Sequence, residues 1–86
     1  MTRITRKDLE IVCNRLNIVA GTPKEYGLTD DHIGHYTISG AYGGYALHQL
    51  VGTGGCIRDV FHSGHIKARE LYGLIHAYIQ GIETSK

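Results

Sequence analysis

The chain has 86 residues, enough for one domain (residues 1–86) with one small core. A domain of this size buries only about 60% of the surface its unfolded chain exposes, so it gains from a metal, a disulfide or a partner. A formal net charge of +1 excludes a broadly basic nucleic-acid coat and an acidic decoy, but not a local charged patch. No run approaches the ~18 apolar residues of a membrane span. Met1-Thr2-Arg3-Ile4-Thr5 lacks the apolar stretch of a signal peptide, so a cytoplasmic location and no membrane contact are expected.

Thr5 followed by Arg6-Lys7-Asp8 reads as a helix-capping box, with Asp8 in the place usual for Glu or Gln. Leu9, Val12, Cys13 and Leu16 recur at helical spacing, which predicts a helix over 6–17 with Lys7, Glu10, Asn14 and Arg15 outward. Gly21 and Pro23 stand where stop signals belong. Residues 18–32 then form a long connector tacked to the core by Tyr26 and Leu28.

From Ile33 to Phe61 the chain is strand-like. Residues 33–38 form the first predicted strand, Ser39-Gly40-Ala41 a turn, 45–51 the second strand, Gly52-Thr53-Gly54-Gly55 a second turn, and 56–61 the third strand. Short gaps predict antiparallel hairpins. Gly43 and Gly44 mark a bulge or the close approach of another backbone. Ser63 is the expected cap of a last helix over 65–81, with an apolar stripe of Leu71, Leu74, Ile75, Tyr78 and Ile82, Ile66 and Ala68 near its start, and Gly81 at its end.

The fold class is therefore α+β in the order α-β-β-β-α: a three-stranded antiparallel meander with two helices packed on one face. Alternation in strand two puts Tyr45, Leu47, Gln49 and Val51 on one side and Ala46, His48 and Leu50 on the other, with Leu47 inward. In strand three Ile57, Asp59 and Phe61 share one side, Arg58 and Val60 the other. Two helices leave one face of the sheet for water or a partner.

Candidate chemistry is sparse. The six histidines, His32, His35, His48, His62, His65 and His76, show no finger or Hx3H spacing, and a set of Cys56, His62 and His65 would draw on a strand, a turn and a helix start. No metal and no cofactor are expected. Cys13 and Cys56 read as reduced structural thiols. Asp30 and Asp31 read as solvated turn residues, and the glycine-rich turn lacks the Lys-Ser or Lys-Thr of a phosphate loop. No catalytic residue is assigned, and no enzyme is expected.

One feature runs against local rules. Both predicted helix starts are positive: Arg3, Arg6 and Lys7 at the first; His62, His65, Lys67 and Arg69 at the second. Cations there oppose the helix dipole by roughly 0.3–1 kcal/mol each, whereas an anion would be held well; the alternative is a solvated charged face on which Asp8 and Glu70 offset much of that cost. These seven residues are the candidate anion or partner contacts. Tyr36, Tyr45 and His48 are the candidate contacts on the sheet face.

The stretch His32-Ile-Gly-His-Tyr-Thr-Ile-Ser-Gly-Ala-Tyr-Gly-Gly-Tyr-Ala-Leu, then Gly-Thr-Gly-Gly-Cys-Ile-Arg-Asp-Val-Phe and Lys67-Ala-Arg-Glu-Leu-Tyr, resembles a group of small bacteriophage and prophage proteins without an established activity. The Ser-Gly-Ala-Tyr-Gly-Gly block carries it most specifically. The resemblance implies action inside a bacterial host cell and transfers no site residues. The expected function is a non-enzymatic accessory protein that binds a host or phage protein and self-associates. The alternative is a nucleic-acid binder with its basic helix starts on phosphates.

Overall fold

The structure, a computed structural model, describes residues 3–23, 25–27 and 29–85. Leu28, one of the two expected tethers of the connector, lies outside them. The order is helix α1 (Arg6–Ala20), strands β1 (Tyr36–Ala41), β2 (Gly44–Leu50) and β3 (Ile57–Asp59), and helix α2 (Ala68–Ser85). The sheet is antiparallel in the order β1-β2-β3, and both helices pack on one of its faces. This is the α-β-β-β-α architecture expected from the pattern.

α1 starts where the capping box predicts. Asp8 N–H donates to the Thr5 hydroxyl (3.3 Å), and Thr5 N–H donates to the Asp8 carboxylate (2.9 Å). The helix runs three residues past the expected end, because Gly21 in the left-handed region (φ 71°) is the actual stop. Its inward residues Leu9, Val12, Cys13 and Leu16 meet Tyr36 and Ile38 of β1, Leu47 of β2, and Leu71, Ile75 and Ile79 of α2 in one core.

The first hairpin differs from expectation. Ser39, Gly40 and Ala41 belong to β1, and the turn is Tyr42-Gly43, both left-handed (φ 55° and 74°). Register pairs Tyr36 with Gln49, Ile38 with Leu47 and Gly40 with Tyr45. Leu47 is fully buried, as the alternation predicts. Gly44 is a close-approach glycine: a Cβ there would stand 2.9 Å from the Ile66 carbonyl oxygen. Ile66 bridges Tyr45 through two backbone bonds (2.7 and 2.8 Å), so the chain rejoins the sheet just before α2.

The other boundaries move for similar reasons. The second strand ends at Leu50, leaving Val51 half exposed, and β3 is only three residues long. α2 begins three residues later than expected. Ser63 does not cap it; the Ser63 hydroxyl donates to the Gly64 carbonyl (2.9 Å). Gly81 lies inside the helix, which continues to Ser85. Leu74, placed on the inward stripe by periodicity, is 40% exposed. Tyr26 is likewise exposed, its ring in edge-on contact with that of His35.

Candidate functional site: a cationic groove between two helix starts

Three strands, an odd number, separate the two helices. α1 runs antiparallel to β1, since Asn17 meets Tyr36 and Arg6 lies over Gly40. The chain then goes up β1, down β2 and up β3, so it enters α2 at the end where α1 began. The two helix starts therefore sit side by side. Between them is a cavity of about 560 Å³ lined by Arg3, Ile4, Thr5, Arg6, Gly43, Tyr45, Lys67 and Ala68. Arg3, Arg6 and Lys67 are all exposed.

The lining of the groove carries positive charge only, with Asp8 and Glu70 in the first turns of the two helices whose starts flank it. No acid is among its lining residues, and the nearby Asp8 carboxylate is engaged by the Thr5 N–H and hydroxyl (2.9 and 3.1 Å). At α2 the Lys67 carbonyl accepts the first helical bond, from Leu71 N–H (3.1 Å), which makes Lys67 the capping residue. An ammonium has no acceptor to offer the free amides of the first turn. Ser, Thr, Asp or Asn would be favoured there. A lysine at this position adds a cation to the positive end of the helix dipole. The arrangement can hold a carboxylate or phosphate group between two guanidiniums and an ammonium.

The seven expected anion contacts thus divide. Arg3, Arg6 and Lys67 share the groove. Lys7 and Arg69 are exposed but do not line it. His62 sits in the β3–α2 connection with left-handed backbone (φ 53°). His65 turns to the opposite face of the sheet, where its Nε2 meets the Ser39 hydroxyl (3.1 Å) and its ring meets Tyr42 and His48 edge-on. The reason is the Tyr45–Ile66 bridge. It sets a strand-like alternation that sends Ile66 toward the helices and His65 away from them.

The expected sheet-face trio is corrected in the same way. The alternation that turns Leu47 inward carries Tyr36 and Tyr45 with it. Tyr36 is buried, its hydroxyl 3.0 Å from that of Tyr78, and burial followed by that hydrogen bond raises its pKa. Tyr45 lines the cationic groove on the helix side. Only His48 lies on the far face. That face is also less open than expected, since Ala46 and Leu50 on it are buried.

The far face carries Ser39, His48, His65 and Asp59. A serine–imidazole pair needs a further group that orients the ring before the hydroxyl becomes a nucleophile. Asp59, the acid that β3 brings to this face, spends Oδ2 on Gly64 N–H (2.8 Å), while its Oδ1 is buried without a hydrogen-bond partner. Among the described residues no three His, Cys, Asp or Glu side chains are placed to hold a metal ion. Cys13 is buried and Cys56 exposed, both as free thiols. Among the described residues no helix is long and apolar enough to cross a membrane.

Sequence reasoning missed Asn17. Its buried amide pairs with both backbone groups of Tyr36, and its Oδ1 also accepts from the Thr22 hydroxyl (2.8 Å). The signal was present: a polar residue one step beyond Leu16, still within the inward arc of the helix.

Searches against protein-family models, curated proteins and solved structures return no match to this chain.

Proposed function

We propose that this chain is a non-enzymatic accessory protein of phage or prophage type. Its cationic groove docks an acidic segment of a host or phage protein. The observation that carries this reading is the meeting of Arg3, Arg6 and Lys67 around one cavity free of lining acids. The cluster is compact. Three cations suit a few clustered carboxylates, whereas a duplex-binding surface commonly engages six to ten phosphates. Lys7 and Arg69, which would have to extend the patch along a duplex, fall outside the groove. The cations raise the encounter rate with an acidic partner, and the groove walls Ile4 and Tyr45 supply apolar contact beside the charges.

The test is fluorescence anisotropy with two labelled probes, a hexaglutamate peptide and a random-sequence DNA duplex, each titrated at low and moderate salt. The expected result is saturable binding of the peptide that weakens with salt and is lost in an Arg3→Ala, Lys67→Ala double variant. Tighter binding of the duplex, with a steep salt dependence, would replace the reading by the nucleic-acid one. Binding of neither probe at low salt would sink both.

A further inference from the structure

β1 has a free edge, and its geometry is self-complementary. Leu50 N–H donates to the His35 carbonyl (2.9 Å). By antiparallel alternation, Thr37, Ser39 and Ala41 turn their backbone groups to β2, while Tyr36, Ile38 and Gly40 turn theirs outward. Asn17 satisfies the outward groups of Tyr36, accepting from its N–H (2.8 Å) and donating to its carbonyl (3.0 Å). Ile38 and Gly40 remain. The strand, Tyr-Thr-Ile-Ser-Gly-Ala, carries no charge, no proline and no bulge, which are the devices that keep exposed edges from pairing. The opposite edge is blunted, since β3 is three residues long with Arg58 at its centre.

The helix beside the edge supplies matched charges. Arg6, Glu10 and Asn14 are exposed and stand along the flank of α1 that faces β1, bordering a groove of about 190 Å³ with His35, Tyr36, Thr37 and Ile38. Arg6 lies over Gly40, its Nη1 2.8 Å from where a Cβ would be. Four residues of helix advance about 6 Å and two residues of strand about 6.6 Å, so Glu10 falls level with Ile38. An antiparallel twofold pairing centred on Ser39 sets Ile38 opposite Gly40 of the second copy. It also brings Arg6 of each copy to Glu10 of the other.

We propose that β1 pairs with β1 of a second copy of this chain about a twofold axis near Ser39. The product is a six-stranded antiparallel sheet with all four helices on one face. Each copy donates from the N–H groups of Ile38 and Gly40 and accepts at their carbonyls. Two Arg6–Glu10 pairs flank the seam, the isologous pattern of a twofold interface. Asn17 takes over at Tyr36, where the partner strand reaches its hairpin turn.

Sedimentation equilibrium, with amide exchange read by NMR, tests this. The wild-type chain is expected to dimerise, with the Ile38 and Gly40 amides protected in the dimer and exchanging faster on dilution. Arg6→Glu and Glu10→Arg each replace two attractions by two repulsions and are expected to weaken the dimer about tenfold or more. The double variant R6E/E10R is expected to recover it. Neither change threatens the fold: Glu is favoured in a first helical turn, and position 10 is exposed. Glu10→Arg also leaves the lining of the cationic groove intact, so loss of dimer can be read apart from loss of anion binding. A wild-type monomer at millimolar concentration would overturn the proposal. So would a dimer indifferent to both single swaps, or one in which the Ile38 and Gly40 amides stay unprotected. Protection appearing only with an added peptide of alternating Val and Glu would assign the edge to a foreign strand and equally overturn it.

Discussion

Asn17 holds Tyr36 by both of its backbone groups, accepting from the N–H at 2.8 Å and donating to the carbonyl at 3.0 Å. A helix side chain thereby plays the part of a neighbouring strand. The Cys13 thiol donates to the same carbonyl (3.3 Å). This clasp fixes where α1 sits along β1, and with it the position of Arg6 over Gly40. Asn17→Leu keeps the branched shape of the side chain but leaves the Tyr36 N–H without its acceptor in a buried place. The expected cost is about 2–4 kcal/mol, the sum of three lost hydrogen bonds, two to Tyr36 and one from the Thr22 hydroxyl, and the desolvated groups left behind. Urea denaturation measures it, and a Leu variant as stable as wild type would show that the clasp is incidental.

Two glycines make opposite predictions. Gly44 is buried, and a Cβ there meets the Ile66 carbonyl oxygen at 2.9 Å and His65 backbone carbon at 3.0 Å. Gly44→Ala must push Ile66 away from Tyr45. A loss of about 1–3 kcal/mol is expected, the usual range for overpacking, together with weaker anion binding as the start of α2 shifts. Gly81 is helical and exposed, with nothing within 4 Å of a Cβ. Gly81→Ala is expected to stabilise by about 0.5–1 kcal/mol, because the unfolded chain loses freedom while the helix loses nothing. Thermal melts of the two variants shifting in the same direction would contradict this assignment.

These glycines also show where the sequence was legible. Periodicity revealed the element order, the inward stripe of α1 and the inward Leu47, because burial on one face imposes a period. Boundaries failed where glycine has two meanings. Ser39-Gly40-Ala41 reads as a turn, yet Gly40 is a strand residue with the end of the Arg6 side chain lying over it. Gly81 reads as a helix stop, yet it is only an exposed helical position. For the site, the positive charge at both helix starts was legible residue by residue. That three of those cations share one groove depends on an odd strand count and on the bridge at Ile66. The second of these is a long-range contact with no local mark apart from Gly44.

The two thiols are expected to behave differently. Cys56 is exposed, whereas Cys13 is buried and hydrogen-bonded. Burial first, and the nearby Glu10 second, push the Cys13 pKa from 9.0 to about 12. A thiol-specific reagent at neutral pH is therefore expected to modify Cys56 promptly and Cys13 only at the rate of unfolding. Because the folded pKa lies above the unfolded one, the contribution of the protonated thiol is complete below about pH 9 and is lost between 9 and about 12. The Tyr36 hydroxyl, raised by burial and by Tyr78, acts in the same direction. Stability measured in urea should fall as pH rises through that window, and less steeply in Cys13→Ala. Equal reactivity of the two thiols in the folded protein would refute the burial of Cys13.

Lys67 sets stability against binding most directly. It occupies the capping position of α2, where its carbonyl accepts from Leu71 N–H (3.1 Å) while its side chain can satisfy no first-turn amide. Lys67→Asp places an acceptor there and reverses the charge that opposes the dipole. A gain of about 0.5–2 kcal/mol is expected, the range of a restored N-cap. The same change puts a carboxylate among Arg3 and Arg6, so the groove lining no longer carries positive charge only and hexaglutamate binding should fall more than tenfold. Lys67→Ser separates the two effects, keeping the cap and removing only one charge, and is expected to stabilise similarly while weakening binding less. Chemical denaturation and anisotropy on the three proteins decide the matter. If both variants are less stable than wild type, Lys67 serves the fold, and the inference that its charge is kept for an anionic partner fails.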